Sequence, residues 1–113
     1  LSEAVSWMER QSHSDRRVQR EYNLRDARRL AHGQVAGKRA RIAQELGMIR
    51  EREARIDEER SRPSPYAPRI AQFERHKASA EQRLRDAEAA LEVAEAEVES
   101  AERALAAMGI ALR

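Results

Sequence analysis

The sequence has no cysteine, four glycines and three prolines, and only 4% of its 113 residues are aromatic. Without cysteine the chain forms no disulfide and offers no thiolate to a metal ion. No apolar run reaches the roughly 18 residues that a membrane-spanning helix needs. No basic and then apolar leader opens the chain, so we expect no signal peptide and favour the cytoplasm or an assembly as its location.

Charge takes the place of the missing apolar side chains. Charged residues make up 37% of the chain and its mean hydropathy is −0.87, whereas a compact globule of this length has fewer charges and more large apolar residues. Alanine, glutamate, arginine and leucine dominate, as they do in long helices and coiled coils. The composition therefore predicts one all-α domain that buries a stripe rather than a core.

The strongest pattern is a seven-residue repeat from Ile70 to Leu112. Residues seven apart form two columns on one side of a helix, and an apolar stripe of this kind needs a partner helix. Every position in the two columns is apolar except Lys77. The first column is Ile70, Lys77, Leu84, Leu91, Val98, Leu105 and Leu112, and the second is Phe73, Ala80, Ala87, Ala94, Ala101 and Met108.

The first half of the chain carries a weaker repeat. One column consists of Val35, Ile42, Ile49 and Ile56, and we expect its companion column to be His32, Arg39, Leu46, Glu53 and Arg60. Residues further back do not fit that phase, so we expect the seam to shift near residue 30. They are Val18, Tyr22, Leu24 and Ala31.

Three prolines between residues 61 and 68 end the first helix, and Pro68 suits the first turn of the second. The predicted fold is an antiparallel two-helix coiled-coil hairpin with an N-terminal helical overhang. Its parts are an extension (1–15), a first long helix (16–60), a Pro-rich turn (61–68), a second long helix (69–108) and a tail (109–113). Residues 11 to 15 predict either a helix break or one face of a continuous helix.

Matching the two seams gives a register in which facing positions add up to 133. That register predicts ion pairs of Arg50 with Glu81, Lys38 with Glu97, and Arg29 with Glu102. It places Arg113 opposite Arg20, so residues 1 to 19 have no helix beside them. Such exposed pairs contribute about 0–1 kcal/mol each and select orientation more than they add stability.

No motif for catalysis, a cofactor or a metal emerges, and we expect none of these sites. The histidines His13, His32 and His76 are far apart in the sequence and lack the Glu-x-x-His spacing of di-iron bundles. No glycine-rich loop follows a strand, and no nucleophile lies beside a base. We expect a protein that is not an enzyme.

The basic run needs a separate explanation. Residues 16 to 41 contain nine arginines or lysines against two acids, and the Arg16 to Arg29 segment could bind phosphates along a helix. It lacks interleaved aromatic residues for base stacking, and an acidic run in the second helix offers an internal partner. Nucleic-acid binding is therefore the alternative hypothesis.

The chain resembles, in shape and composition over its whole length, the stalk proteins of flagellar and type III export ATPases. It also resembles helical hairpins of phage scaffolding and virion proteins. The resemblance involves no motif that assigns a role to a residue. It implies a structural or adaptor subunit of a larger assembly, with protein partners bound through helix packing.

The overhang is the predicted partner-binding segment. It holds an apolar group with the only tryptophan of the chain, and tryptophan is enriched among interface anchors. The alternatives are that this segment folds back on its own hairpin or frays. A smooth outer strip of Gly33, Ala40 and Gly47 is either a second surface through which the chain could associate with itself or a row of weakly helical surface positions. The candidate partner-binding residues are Leu1, Val5, Trp7, Met8, Arg16, Arg17 and Arg20.

Overall fold

A computed structural model describes residues 2 to 112. The first helix, α1, is Ser2–Arg60 and has 59 residues, and the second, α2, is Ala67–Ala107 and has 41. No strand occurs in the part of the chain so described. The predicted all-α hairpin and the helical N-terminal extension are confirmed. α1 runs without a break through residues 11 to 15.

Each helix contributes to two compact units. The terminal unit combines residues up to Gly33 with those from Ala94 onward, and the middle unit is Gln34–Val93. In the middle unit Lys77 Nζ lies 3.3 Å from Glu53 Oε1, and Arg83 Nε lies 3.1 Å from Glu45 Oε1. Residue numbers rise along α2 as they fall along α1, so the helices are antiparallel there.

The two helices are also antiparallel within the terminal unit. Arg28 Nε lies 3.1 Å from Glu102 Oε1, and Arg17 Nη2 donates to the carbonyl oxygen of Met108 at 2.7 Å. The predicted pair of Arg29 with Glu102 is wrong by one residue, because Arg29 bonds Asp26 on its own helix at 2.8 Å. The pairs predicted for Arg50 and Lys38 are also absent from the ion pairs among residues 2 to 112.

The α2 seam is confirmed along the helix. Every position of the two predicted columns from Ile70 to Met108 is buried or half-buried. Ala80 and Leu105 are 0% exposed. Leu112 is the exception, because it follows the end of α2 and is 41% exposed. One apolar stripe therefore covers α2 from its first turn to its last.

The companion column predicted for α1 is wrong by one residue. The buried or half-buried companions of the isoleucine column are Leu24, Ala31, Lys38, Glu45, Arg52 and Glu59, whereas His32, Arg39, Leu46, Glu53 and Arg60 are exposed. Leu46 is 37% exposed while Glu45 beside it is 1% exposed. Since Leu24 and Ala31 fall in the true column, the seam does not shift near residue 30. The prediction failed because it looked for apolar residues, whereas most of the buried companions are polar.

Alanine in α2 explains why polar side chains are tolerated in the α1 seam. Every seventh α2 position from 80 to 101 is a buried alanine, and a methyl group occupies little of the space between two helices. We infer that the half-buried Lys38 and Arg52 carry their charged ends toward the rim of the seam, whereas the buried Glu45 and Glu59 are held by arginines. The seam is thus thin within each unit.

Glu45 is the most buried charge in the middle unit. Its two carboxylate oxygens both accept a hydrogen bond from Arg83 Nε at 3.1 Å, and Arg41 Nε lies 3.1 Å from Oε1. The Arg41 and Arg83 side chains are 50% and 39% exposed. A buried carboxylate needs such partners because its desolvation is otherwise costly. The Glu45–Arg83 pair therefore favours one register of α2 against α1 in the middle unit.

Glu59 performs a similar task at the turn. It is 3% exposed, and Oε1 accepts a hydrogen bond from the backbone N–H of Tyr66 at 3.1 Å. Its other oxygen lies 3.2 Å from Arg62 Nη1 and 3.5 Å from Arg69 Nη1. Tyr66 directly precedes α2, and its carbonyl accepts hydrogen bonds from the backbone N–H groups of Arg69 and Ile70 in the first turn. A carboxylate from the last turn of α1 therefore satisfies an unpaired donor at the start of α2.

We predict that Leu91→Asp unfolds the hairpin while Val93→Asp leaves it folded. Leu91 is a half-buried seam residue and Val93, two residues later, is 60% exposed. A carboxylate at Leu91 would lose water without gaining a partner, at a cost of about 3 kcal/mol or more. Thermal melts followed by circular dichroism measure both. Equal losses of stability would contradict the assigned seam.

We predict opposite effects at the two ends of the Glu45–Arg83 pair. Arg83→Ala leaves a buried carboxylate with Arg41 alone and should cost about 1–3 kcal/mol in the free energy of unfolding. Glu45→Leu removes the buried charge, and both arginines return to water because they are already partly exposed. It should therefore be neutral or stabilising. Urea unfolding curves decide, and Glu45→Leu costing as much as Arg83→Ala would refute this account.

Candidate interaction surface

The N-terminal part of α1 is a helix without a neighbour. Every residue from 3 to 20 is exposed, and the first half-buried positions are Glu21 and Leu24. Helical structure nevertheless begins at Ser2. The predicted overhang is therefore present, and its described apolar side chains do not fold back onto the hairpin.

The apolar residues of the overhang face solvent. Val5 is 52% exposed, Trp7 60% and Met8 63%. Met8 borders two shallow depressions on α1, one with Val5 and one with Trp7. Leu1, also a candidate, lies outside the described residues. Met8 therefore lies between Val5 and Trp7, which project from two sides of the same helical turn.

The predicted arginines do not act alike. Arg16 Nη2 donates to Ser12 Oγ at 3.3 Å and stays beside the depressions that Met8 borders. Arg20 is exposed and, among residues 2 to 112, has no carboxylate within ion-pair distance. Arg17 instead donates to the Met108 carbonyl at 2.7 Å. Arg17 therefore belongs to the end of the hairpin, a role that sequence reasoning missed.

The end of α2 shows why Arg17 finds an acceptor there. Gly109 adopts φ 75°, the left-handed conformation that glycine tolerates best. The N–H of Ile110 bonds the Leu105 carbonyl at 3.2 Å, and the N–H of Gly109 bonds the Ala106 carbonyl at 2.9 Å. These two bonds form a Schellman motif. The carbonyl of Met108 takes no part in it, and Arg17 supplies its donor.

Two further apolar residues extend the exposed surface. Val18 is 63% exposed and Tyr22 is 65% exposed, and both are in the terminal unit. They were expected to belong to a seam whose phase shifts. The spacing from Met8 to Val18 and Tyr22 shows instead that they share a different face of α1, which sequence reasoning did not identify.

Three arginines of the basic run already have partners. Arg25 Nε lies 3.1 Å from Glu21 Oε1, and Arg28 pairs with Glu102. The hydrogen bond that Arg29 donates to the Asp26 carboxylate, together with the charge of that carboxylate, raises the pKa of Arg29. The charges of these side chains are therefore largely used within the chain.

The other surfaces offer less. An open cleft near the turn is lined by Ile56 and by charges of both signs, among them Lys77 paired with Glu53. A Cβ added at Gly33 or Gly47 would meet nothing within 4 Å, so the smooth strip is not required for packing within the chain. The described residues contain no group of three acidic or histidine side chains placed to hold a metal ion. Neither described helix is apolar enough over a sufficient length to cross a bilayer.

Comparisons with protein-family models, with curated proteins and with solved structures each give no match.

Proposed function

We propose that this chain is a non-enzymatic structural or adaptor subunit whose hairpin presents the start of α1 to a protein partner in a larger assembly. The observation that carries the proposal is the exposed apolar group at residues 5 to 8 on a helix with no intramolecular neighbour. Exposed apolar clusters of this kind mark interaction sites more often than isolated apolar residues do.

The chemistry of the group fits a protein partner. Trp7 provides a large flat ring, Met8 an adaptable thioether chain, and Arg16 a cation at their border. Tryptophan and arginine are the residues that most often dominate binding energy at protein interfaces. A partner of matching chemistry presents apolar side chains with carboxylates beside them.

The hairpin supports this use because it holds the segment away from its own packed surface. α2 ends beside Arg17, which anchors the Met108 carbonyl. Residues before that point remain accessible along the whole circumference of the helix. The hairpin thus positions the overhang, and the overhang binds the partner.

Phosphate binding by the Arg16 to Arg29 segment has weaker support. Arg25, Arg28 and Arg29 are paired with carboxylates, and Arg17 is bonded to a carbonyl. A nucleic acid would have to displace these partners. We therefore propose that the arginines of the basic run mainly form contacts within the hairpin and at its helix ends.

The test is affinity capture with the full chain, comparing wild type with the Trp7→Ala/Met8→Ala double variant. We expect partner binding to fall roughly 30-fold or more, since truncating an anchor costs about 2 kcal/mol or more. Val93→Ala is the matched control, because Val93 is equally exposed but lies on α2. Retention of the same partners by the double variant would refute the proposal.

A parallel titration with nonspecific duplex tests the alternative. Phosphate binding should weaken about 10³-fold or more between about 50 and 200 mM salt if many phosphates are contacted. Tight, salt-sensitive duplex binding that survives the Trp7→Ala/Met8→Ala change would favour the nucleic-acid function instead.

A further inference from the structure

We propose that the exposed start of α1 pairs antiparallel with the same segment of a second copy of this chain. The inference rests on the proposed function and names the partner. It concerns a row of residues that we call the outer stripe. The outer stripe consists of Ala4, Met8, Gln11, Asp15, Val18 and Tyr22.

The outer stripe has the spacing of a coiled-coil seam. Its members alternate steps of four and three residues, so they lie on one face of the helix. All six are exposed. The face lies well away from the α1 residues that pack against α2, since Glu21 and Leu24 on either side of Tyr22 are half-buried while Tyr22 is 65% exposed.

The stripe is complementary to itself when one copy is reversed. Antiparallel coiled coils place an a position of one helix opposite a d position of the other. Here that rule gives a two-fold axis at residue 13, with facing positions that add up to 26. Met8 then faces Val18 of the second copy, and Ala4 faces Tyr22. A small residue meets a large one, and two medium apolar side chains meet each other.

The central layer is polar and also complementary. Gln11 faces Asp15 of the second copy, so the amide N–H can donate to the carboxylate. Within the described chain Asp15 makes no ion pair and Gln11 makes no side-chain hydrogen bond. A single polar layer in such a seam costs stability but fixes the register. The two-fold axis repeats it, so the register is set by two such contacts.

The charges do not oppose the same register. Residues 3 to 21 hold four acidic side chains and four arginines. The reversed pairing places Glu9 and Arg16 of the second copy on one side, with the small Ser12 between them, and neither has an ion-pair partner within residues 2 to 112. It places Arg10 and Arg17 of the second copy at the corresponding positions on the other side, where Arg17 stays bonded to the Met108 carbonyl.

The apolar neighbours of the stripe fit its edges. Val5 flanks one edge and falls opposite Gln19 of the second copy, while Trp7 flanks the other and falls near Glu21. No two like charges oppose each other directly at these flanking positions. Trp7, Met8, Val18 and Tyr22 would each lose exposed surface, which the hairpin alone leaves in water.

The first test is sedimentation equilibrium of the full chain over a concentration series into the high micromolar range. We expect reversible dimers, and Met8→Asp should weaken dimerisation tenfold or more because its carboxylate would face Val18. Met8 is 63% exposed, so circular dichroism should show the hairpin intact. Val93→Asp is the control and should leave the dimer unchanged. A chain that stays monomeric, or dimers insensitive to Met8→Asp, would overturn the proposal.

The second test fixes orientation and register, and the absence of cysteine gives it a clean background. A short thiol cross-linker should join Val5→Cys to Gln19→Cys chains in a mixture, but neither variant to itself. Self-linking of each variant alone would indicate parallel pairing and overturn the register. Failure of dimerisation with continued capture of a different protein through Trp7 and Met8 would refute this inference and leave the proposed function standing. Loss of both would refute the two together.

Discussion

The whole structure depends on one seam, because two helices have no other surface to bury against each other. On α2 this seam is apolar except at Lys77, and four consecutive positions of its second column are the buried alanines Ala80, Ala87, Ala94 and Ala101. Small side chains let two helices approach closely. They also limit the apolar area that is buried, so the hairpin gains little from each turn and needs the seam to be continuous.

Buried carboxylates give this thin seam its specificity. Glu45 is 1% exposed and accepts hydrogen bonds from Arg83 on the other helix. Glu59 is 3% exposed and accepts a hydrogen bond from the backbone N–H of Tyr66 across the turn. An apolar seam of repeating alanines would tolerate a slip by one heptad. A buried carboxylate that slipped would lose its partner and pay for its desolvation. We infer that these two residues fix the register of α2 against α1 within the middle unit.

The fold was predictable from the sequence because heptad spacing and three prolines determine a hairpin almost without regard to detail. The companion column of α1 was not, because Lys38, Glu45 and Arg52 are polar at buried positions and an apolar count favours Leu46. Exposure of Trp7 and Met8 was expected from the length difference between the helices. The role of Arg17 depends on a carbonyl 91 residues away, and no local pattern indicates it. The proposed outer stripe was not recognised because Val18 and Tyr22 were assigned to a shifted seam.

The start of α1 is helical because it continues the packed part of the same helix, and no packing of its own holds it. Isolated helices of about 15 residues are marginal in water, so this segment should be the least protected part of the monomer. Hydrogen exchange on the full chain, at a concentration where it is monomeric, tests this most directly. We expect strong protection of the amides between Leu24 and Glu59 and between Ile70 and Leu105, and little protection for residues 3 to 16. Equal protection of residues 3 to 16 in the monomer would show that they are buried within their own chain, and the account would be contradicted.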